Sequence, residues 1–150
     1  MEATTVGSGI LLSQDVDIYE GETAAETVVR MLQNNGYSVD YTGNYETGFY
    51  LARISSESNF VTGNIPKDLR TKLEEHGFEI YDFTPNSLGD YDFTKGSGWM
   101  YQVNGVYPNY GLSDYCFQNG DTLRLRFTLA YGADIGQDMT GGSDNWGYEW

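Results

Sequence analysis

The chain has 150 residues, enough for one domain with a single hydrophobic core. Apolar residues make up 39% of it, too many for a disordered chain, and no apolar run is long enough to span a membrane. The formal charge of −14, from 22 acidic against 8 basic residues, repels phosphate backbones and sets nucleic acid aside as a partner.

The same acidity keeps a domain soluble and can gather cations. Thirteen tyrosines and nineteen glycines suit a β-rich fold with many tight turns. Cys116 is the lone cysteine, which rules out an internal disulfide and a cysteine-based zinc cage. Lying between Tyr115 and Phe117, its thiol is expected to be buried. Met1-Glu2 is followed by neither a basic segment nor a long apolar one, as a secretory leader would require.

In chain order, residues 2–9 are small and polar, and read as a frayed arm or an edge strand. Residues 10–12 and 16–19 read as short strands. Thr23-Ala24-Ala25-Glu26 is a capping box, with the Thr23 hydroxyl accepting from the Glu26 amide and the Glu26 carboxylate reaching back. Ala25, Val28, Val29 and Leu32 then recur at helical spacing until Gly36, so a helix laid across a sheet is expected here. Strands follow at 39–41 and 49–54, and a polar loop at 55–63. A second helix is expected from about Pro66, with Leu69 and Leu73 on its apolar stripe, Asp68 paired with Lys72, and Gly77 as its stop. His76 falls in its last turn, where a cation suits the helix dipole. Residues 78–83 alternate like a strand, and Asp90 and Asp92 read as solvated loop residues.

The densest pattern lies at 96–129. Residues 99–103 read as a strand and Asn104-Gly105 as its hairpin turn, since both residues tolerate positive φ. Asn119-Gly120-Asp121 is a second turn. Leu123, Leu125, Phe127 and Leu129 then share one face while Thr122, Arg124, Arg126 and Thr128 share the other, the pattern of a half-buried antiparallel strand. The tail 130–150 is rich in Gly and Asp yet keeps Tyr131, Trp146, Tyr148 and Trp150, an aromatic density that predicts packing back onto the domain. No domain boundary or internal repeat is visible.

Two constellations could carry chemistry. Asp134, Asp138, Asp144 and Asn145 stand in a glycine-punctuated loop, and Ca²⁺ wants roughly six to eight hard oxygen ligands of this kind. The spacing is not that of an EF-hand, and a solvated acidic loop accounts for the same residues. The second group is aromatic: Trp99, Tyr101, Tyr107, Tyr110 and Trp146, flat faces that could stack on a planar or sugar-like ligand or anchor a protein. Core packing is the competing account, above all for Trp99 and Tyr101, which should share a face. Catalysis has no visible machinery. One His and one Cys stand far apart, without a phosphate loop, nucleophile elbow or HExxH helix, and nothing singles out a pair of carboxylates as a hydrolase would need.

Residues 99–103, Gly111-Leu112-Ser113-Asp114-Tyr115 and 119–125 together resemble the transcobalamin-like C-terminal domain, the small β-rich domain of vitamin B12 carriers that also occurs in surface proteins of Gram-positive bacteria. The resemblance is most specific over about thirty residues and extends loosely to Val16. It implies export to the cell surface or beyond. It further implies that Tyr101 and Gln102 stand where the carriers use an aromatic–glutamine pair against the corrin ring. Those carriers complete the site with a large helical domain that this chain lacks, and half a site buries too little of a ligand.

The expectation is therefore one α+β domain over 1–150: a mostly antiparallel, β-grasp-like sheet crossed by one helix, with an inserted helix–strand segment near 64–95. Its expected role is a non-catalytic extracellular or cell-surface binding module for a small molecule or protein, with a structural Ca²⁺ candidate in the tail. A cobalamin-contacting domain that needs a second domain or chain, and a purely structural spacer, are the alternatives.

Overall fold

The structure, a computed structural model, describes residues 1–137 and 146–150. It is α+β, with two helices and two mostly antiparallel sheets. Helix α1 spans Ala24–Asn34 and begins as its sequence dictates. The Thr23 amide donates to the Glu26 carboxylate at 2.8 Å while the Thr23 hydroxyl accepts from the Glu26 amide at 3.3 Å, satisfying two of the orphan donors at a helix start. Ala24, Ala25, Val28 and Leu32 are fully buried, and Gly36 leaves the helix at φ 81°. Helix α2, Lys67–Glu75, buries Leu69 and Leu73 completely and nothing else, as its narrow stripe predicts. Lys72 pairs with Glu75 at 3.9 Å rather than with Asp68.

The expected single sheet is divided. One sheet has the order β2-β1-β7-β6, built from β1 (Glu2–Ala3), β2 (Gly9–Ile10), β6 (Gly98–Val103) and β7 (Leu123–Thr128). The other has the order β3-β4-β5, from β3 (Tyr37–Thr42), β4 (Tyr50–Ser56) and β5 (Ser87–Gly89). Where a ladder could have joined β5 to β6, the Trp99 indole donates to the Leu88 carbonyl at 2.9 Å. A side chain thus does the work of a backbone pair, and the core runs continuously beneath both sheets and both helices.

Several local expectations change. Residues 2–9 are not frayed, and of them only Gly9 lies in the edge strand β2: β1 lies between β2 and β7, pairing parallel with β7 at Glu2–Arg126, and Ala3, Thr5 and Val6 are buried. Residues 16–19 and 78–83 form no strand. Their alternation reflects one-sided burial, with Val16 in the first segment and Phe78, Ile80 and Phe83 in the second packed against the core without a ladder. Cys116 is exposed, because the neighbouring rings of Tyr115 and Phe117 turn inward around it. Asp92 is buried rather than solvated. It accepts from Arg53 at 2.6 Å, the Gly89 amide at 2.8 Å and the Thr84 amide at 3.0 Å, partners that offset the cost of burying a charge.

Candidate ligand-binding surface

The register of β6 against β7 sorts the candidate residues by side. Trp99, Tyr101 and Val103 stand opposite Phe127, Leu125 and Leu123, while Met100 and Gln102 stand opposite Arg126 and Arg124. Tyr101 and Gln102 therefore point to opposite faces of the sheet, as successive strand residues must. Trp99 is in the core, edge-on to Phe127 at 5.3 Å.

The Gln102 face is closed. Leu125, Phe127 and Leu129 are buried as the alternation predicts, but Arg126 and Thr128 on the opposite face are also buried, each 2% exposed, because the tail folds back over them. The Trp146 and Trp150 amides donate to the carbonyls of Ala133 and Asp134 at 3.2 and 3.0 Å, so the described part of the tail packs as expected. Beneath it the Arg126 guanidinium lies 2.7 Å from Glu2 and 2.8 Å from Glu149, and donates to the Ile135 carbonyl at 2.9 Å. Tyr107 donates to the same carbonyl at 2.7 Å, and burial pushes its phenol above the ordinary range. Gln102 is buried beside Arg124 at 3.4 Å. The Gln102 side-chain oxygen and the Tyr107 hydroxyl are thus engaged by the protein itself.

Tyr101 stands on the core face with Trp99, Leu125 and Phe127, half-buried, and it is beside Tyr101 that rings reach the surface. The Tyr101 hydroxyl donates to the Tyr110 carbonyl, and burial raises its pKa. Tyr110 stacks on Tyr115 with centroids 5.7 Å apart and stays 41% exposed. Tyr115 donates to Asp121 at 2.6 Å, a hydrogen bond that, with burial, pushes the phenol up to about 12. Asp121 also accepts from the Gln118 amide at 3.0 Å and the Asn104 side chain at 2.9 Å, and these donors hold its carboxyl below the usual range. The Asn104-Gly105 turn is formed as expected, with φ 52° and 81°. It braces the aromatic surface through Asp121.

A second ring group lies on the loop between β3 and β4. Tyr41 packs 5.4 Å from Tyr45 and 5.0 Å from Phe49. This loop closes tightly. Gly43, at φ 74°, has no room for a side chain, since a Cβ there would sit 2.1 Å from the Gly48 carbonyl oxygen. The Asn44 side chain accepts from the amides of Glu46 and Thr47, both at 2.9 Å. Both ring groups are tied to one place. The Phe49 amide donates to Ser113 at 3.3 Å, and the Ala24 amide at the start of α1 donates to the Tyr115 carbonyl at 2.7 Å. They therefore flank the 3₁₀ turn Leu112–Asp114.

The six aromatic and glutamine candidates are not brought together. Tyr101 and Tyr110 share the open side, Trp99 is core, and Gln102 and Tyr107 belong to the closed face. Trp146 packs against α2's end, stacked on His76 at 4.7 Å. Tyr41 and the half-buried Tyr45 and Tyr115 join this surface unforeseen, over a buried Phe49; the glycines bracketing residues 43–48 were the signal that this loop holds its rings in place. Of the metal candidates, Asp138, Asp144 and Asn145 lie outside the described residues. Asp134 is fully buried, accepts from the Thr128 hydroxyl and, at 2.7 Å, from the Leu129 amide, and has its pKa raised by burial. Among the described residues no three His, Cys, Asp or Glu side chains gather as a metal site, and no helix is long and apolar enough to cross a membrane.

Residues 77–128 match the family model described as Domain of unknown function (DUF4430). The matched stretch holds β5, β6, β7 and the Tyr110–Tyr115 segment, just over a third of the chain. No curated protein and no solved structure matches the chain.

Proposed function

We propose that the chain is a non-catalytic, extracellular or cell-surface binding module of the transcobalamin-like kind, which recognises its ligand with the open aromatic surface around the Leu112–Asp114 turn. The observation that carries this reading is the fixed orientation of the half-buried Tyr101 and Tyr115 rings beside the exposed Tyr41 and Tyr110. Tyr101, Tyr115 and Tyr41 each spend their hydroxyl on a protein acceptor, leaving ring faces rather than polar tips for contact. Rings already held in place lose little conformational freedom on binding, so stacking is not offset by ordering.

A flat or sugar-like ligand, or a protein edge, fits such a surface. A corrinoid would meet Tyr101 and not Gln102 from this side. Amide-resolved NMR with cobalamin and with a panel of soluble oligosaccharides tests the reading. Shifts are expected at Tyr101, Tyr110 and Tyr115, and Tyr110→Ala should remove them while leaving the melting temperature within a few degrees. Shifts that survive Tyr110→Ala, or that cluster elsewhere, would refute this assignment; silence toward every probe and toward secreted or surface proteins would favour the spacer.

A further inference from the structure

Tyr101, Tyr110 and Tyr115 stand around a carboxylate that the fold itself does not use. Asp114 is exposed at the end of a turn whose other two residues, Leu112 and Ser113, are buried, so its backbone is held in place. Its amide donates to the Gly111 carbonyl at 3.0 Å, but its carboxylate takes no hydrogen bond and no cation among the described residues. A carbon set as a side chain on Gly111 would stand 3.6 Å from the Asp114 carboxylate, 3.7 Å from the Ser113 hydroxyl and 3.8 Å from the Phe49 carbonyl. Three oxygens thus border one place next to Tyr110, and Gly111 has no side chain to fill it. Burial first, and then Tyr110, the Asp114 carboxylate and Tyr115, push the Tyr101 phenol up, which puts those three within electrostatic reach of Tyr101. Elsewhere the same chain shows what completes such a group. The Arg30 guanidinium lies 4.5 Å over the Tyr19 ring while its Nε and Nη2 donate to Glu22, both at 2.8 Å. At Tyr110 and Tyr115 the rings and the carboxylate are present without the arginine. Asp121, which accepts from Tyr115, Gln118 and Asn104, adds a second negative charge that no cation meets among the described residues.

Resting on the binding surface described above, we propose that its partner is a protein that presents an arginine, with the guanidinium lying on Tyr110 and donating to Asp114 and the oxygens beside Gly111. A guanidinium is planar, so it stacks on a ring and holds a carboxylate at once, with five donors to share among several oxygens. An ammonium has no flat face to lay on a tyrosine. A sugar is oriented by polar groups placed for its hydroxyls, whereas Tyr101 and Tyr115 already spend theirs on Tyr110 and Asp121. The net charge of −14 draws a cationic partner in from a distance.

The test is ring and amide NMR on the whole chain at low salt with two blocked peptides, glycines around a central arginine or around citrulline, its neutral isostere. The arginine peptide should move Asp114, Tyr110 and Tyr115 with a Kd of about 1–10 mM, the range for one cation on a ring and a carboxylate. Citrulline should bind about tenfold more weakly. Asp114→Asn, whose side chain has no partner to lose, should keep the melting temperature, weaken the arginine peptide about tenfold and leave citrulline unchanged. Weak affinity is covered by coupling each peptide to the exposed Cys116 through a flexible linker, where arginine should move the Tyr110 and Tyr115 rings and citrulline should not. Equal shifts from the tethered twins, an arginine response that Asp114→Asn does not reduce, or shifts that cluster elsewhere would overturn the inference. Shifts at these rings from cobalamin or an oligosaccharide, with none from free or tethered arginine, would overturn the arginine and keep the surface. No shift at these rings from any probe would overturn both.

Discussion

Tyr107 and Tyr110 stand close in sequence and end in opposite surroundings. Tyr107 turns under the tail, where it joins Arg126, Glu2 and Glu149 in a closed charge network. Tyr110 turns out, stacked on Tyr115 and open to solvent. Charge is thus buried on one side of the β6–β7 pair, against what hydropathy alone would arrange, while the other side buries Trp99, Leu125 and Phe127 and meets exposed rings only beside Tyr101. The closed side is held by directional bonds that fix the tail. The open side is fixed in shape yet leaves surface unused, and a binding role belongs there.

The sharpest way to break the closed side is Arg126→Ala. It removes the buried cation shared by Glu149 and the inward-facing Glu2, leaves Glu2 to Arg124 alone and the Ile135 carbonyl to Tyr107 alone, and should cost about 3 kcal/mol, the low end for a broken buried pair. A urea midpoint that moves by less than a third of that would show the network to be solvent-screened rather than structural. The same variant should leave the Tyr110–Tyr115 stack intact, because no member of that stack touches Arg126.

How far the sequence reveals this contrast depends on what each residue leans on. The capping box, the α1 stripe, the Asn104-Gly105 turn and the Leu face of β7 were legible because neighbours in the chain decide them. Burial of Arg126 and Thr128 was not, since a charged or hydroxyl residue on a strand's second face reads as solvated until a distant tail covers it. Asp92 hid for the same reason: its partner Arg53 lies far back on β4. The central place of β1 was illegible because a two-residue strand has no period to detect. At the candidate surface, Tyr110 could be named from composition, but its partner Tyr115 reads equally well as core, and only geometry pairs them.

A smaller effect probes what anchors the tail. Asp134→Ala removes both acceptors of the Thr128 hydroxyl and the Leu129 amide, leaving buried donors unsatisfied, and should cost about 1–3 kcal/mol. The loss should be the same in millimolar Ca²⁺ and in chelator, because Asp134 serves the protein's own donors. A loss that appears only with Ca²⁺ present would make Asp134 a metal ligand and move the closed side's stability into the ion.

The smallest effect belongs to the open side and is read in alkali. Burial and the hydrogen bond to Asp90 push the Tyr50 phenol up to about 12, and the bond to Asp121, with burial, does the same for Tyr115. An unfolded tyrosine ionises near 10, so between roughly 10 and 12 the folded chain keeps protons that the unfolded chain has lost. The stability these phenols contribute is therefore complete below about pH 10 and is lost as pH rises through about 12. Phenolate absorbance on the native protein should show several tyrosines titrating late, Tyr50, Tyr101, Tyr107 and Tyr115 among them. Asp121→Asn should bring one of them down, since a neutral amide no longer repels the phenolate, and an unchanged titration curve would mean that the carboxylate does not hold Tyr115. If the step moves while the Arg126 network keeps its urea midpoint, the two sides of the molecule are energetically independent, as a rigid scaffold carrying a separate recognition surface requires.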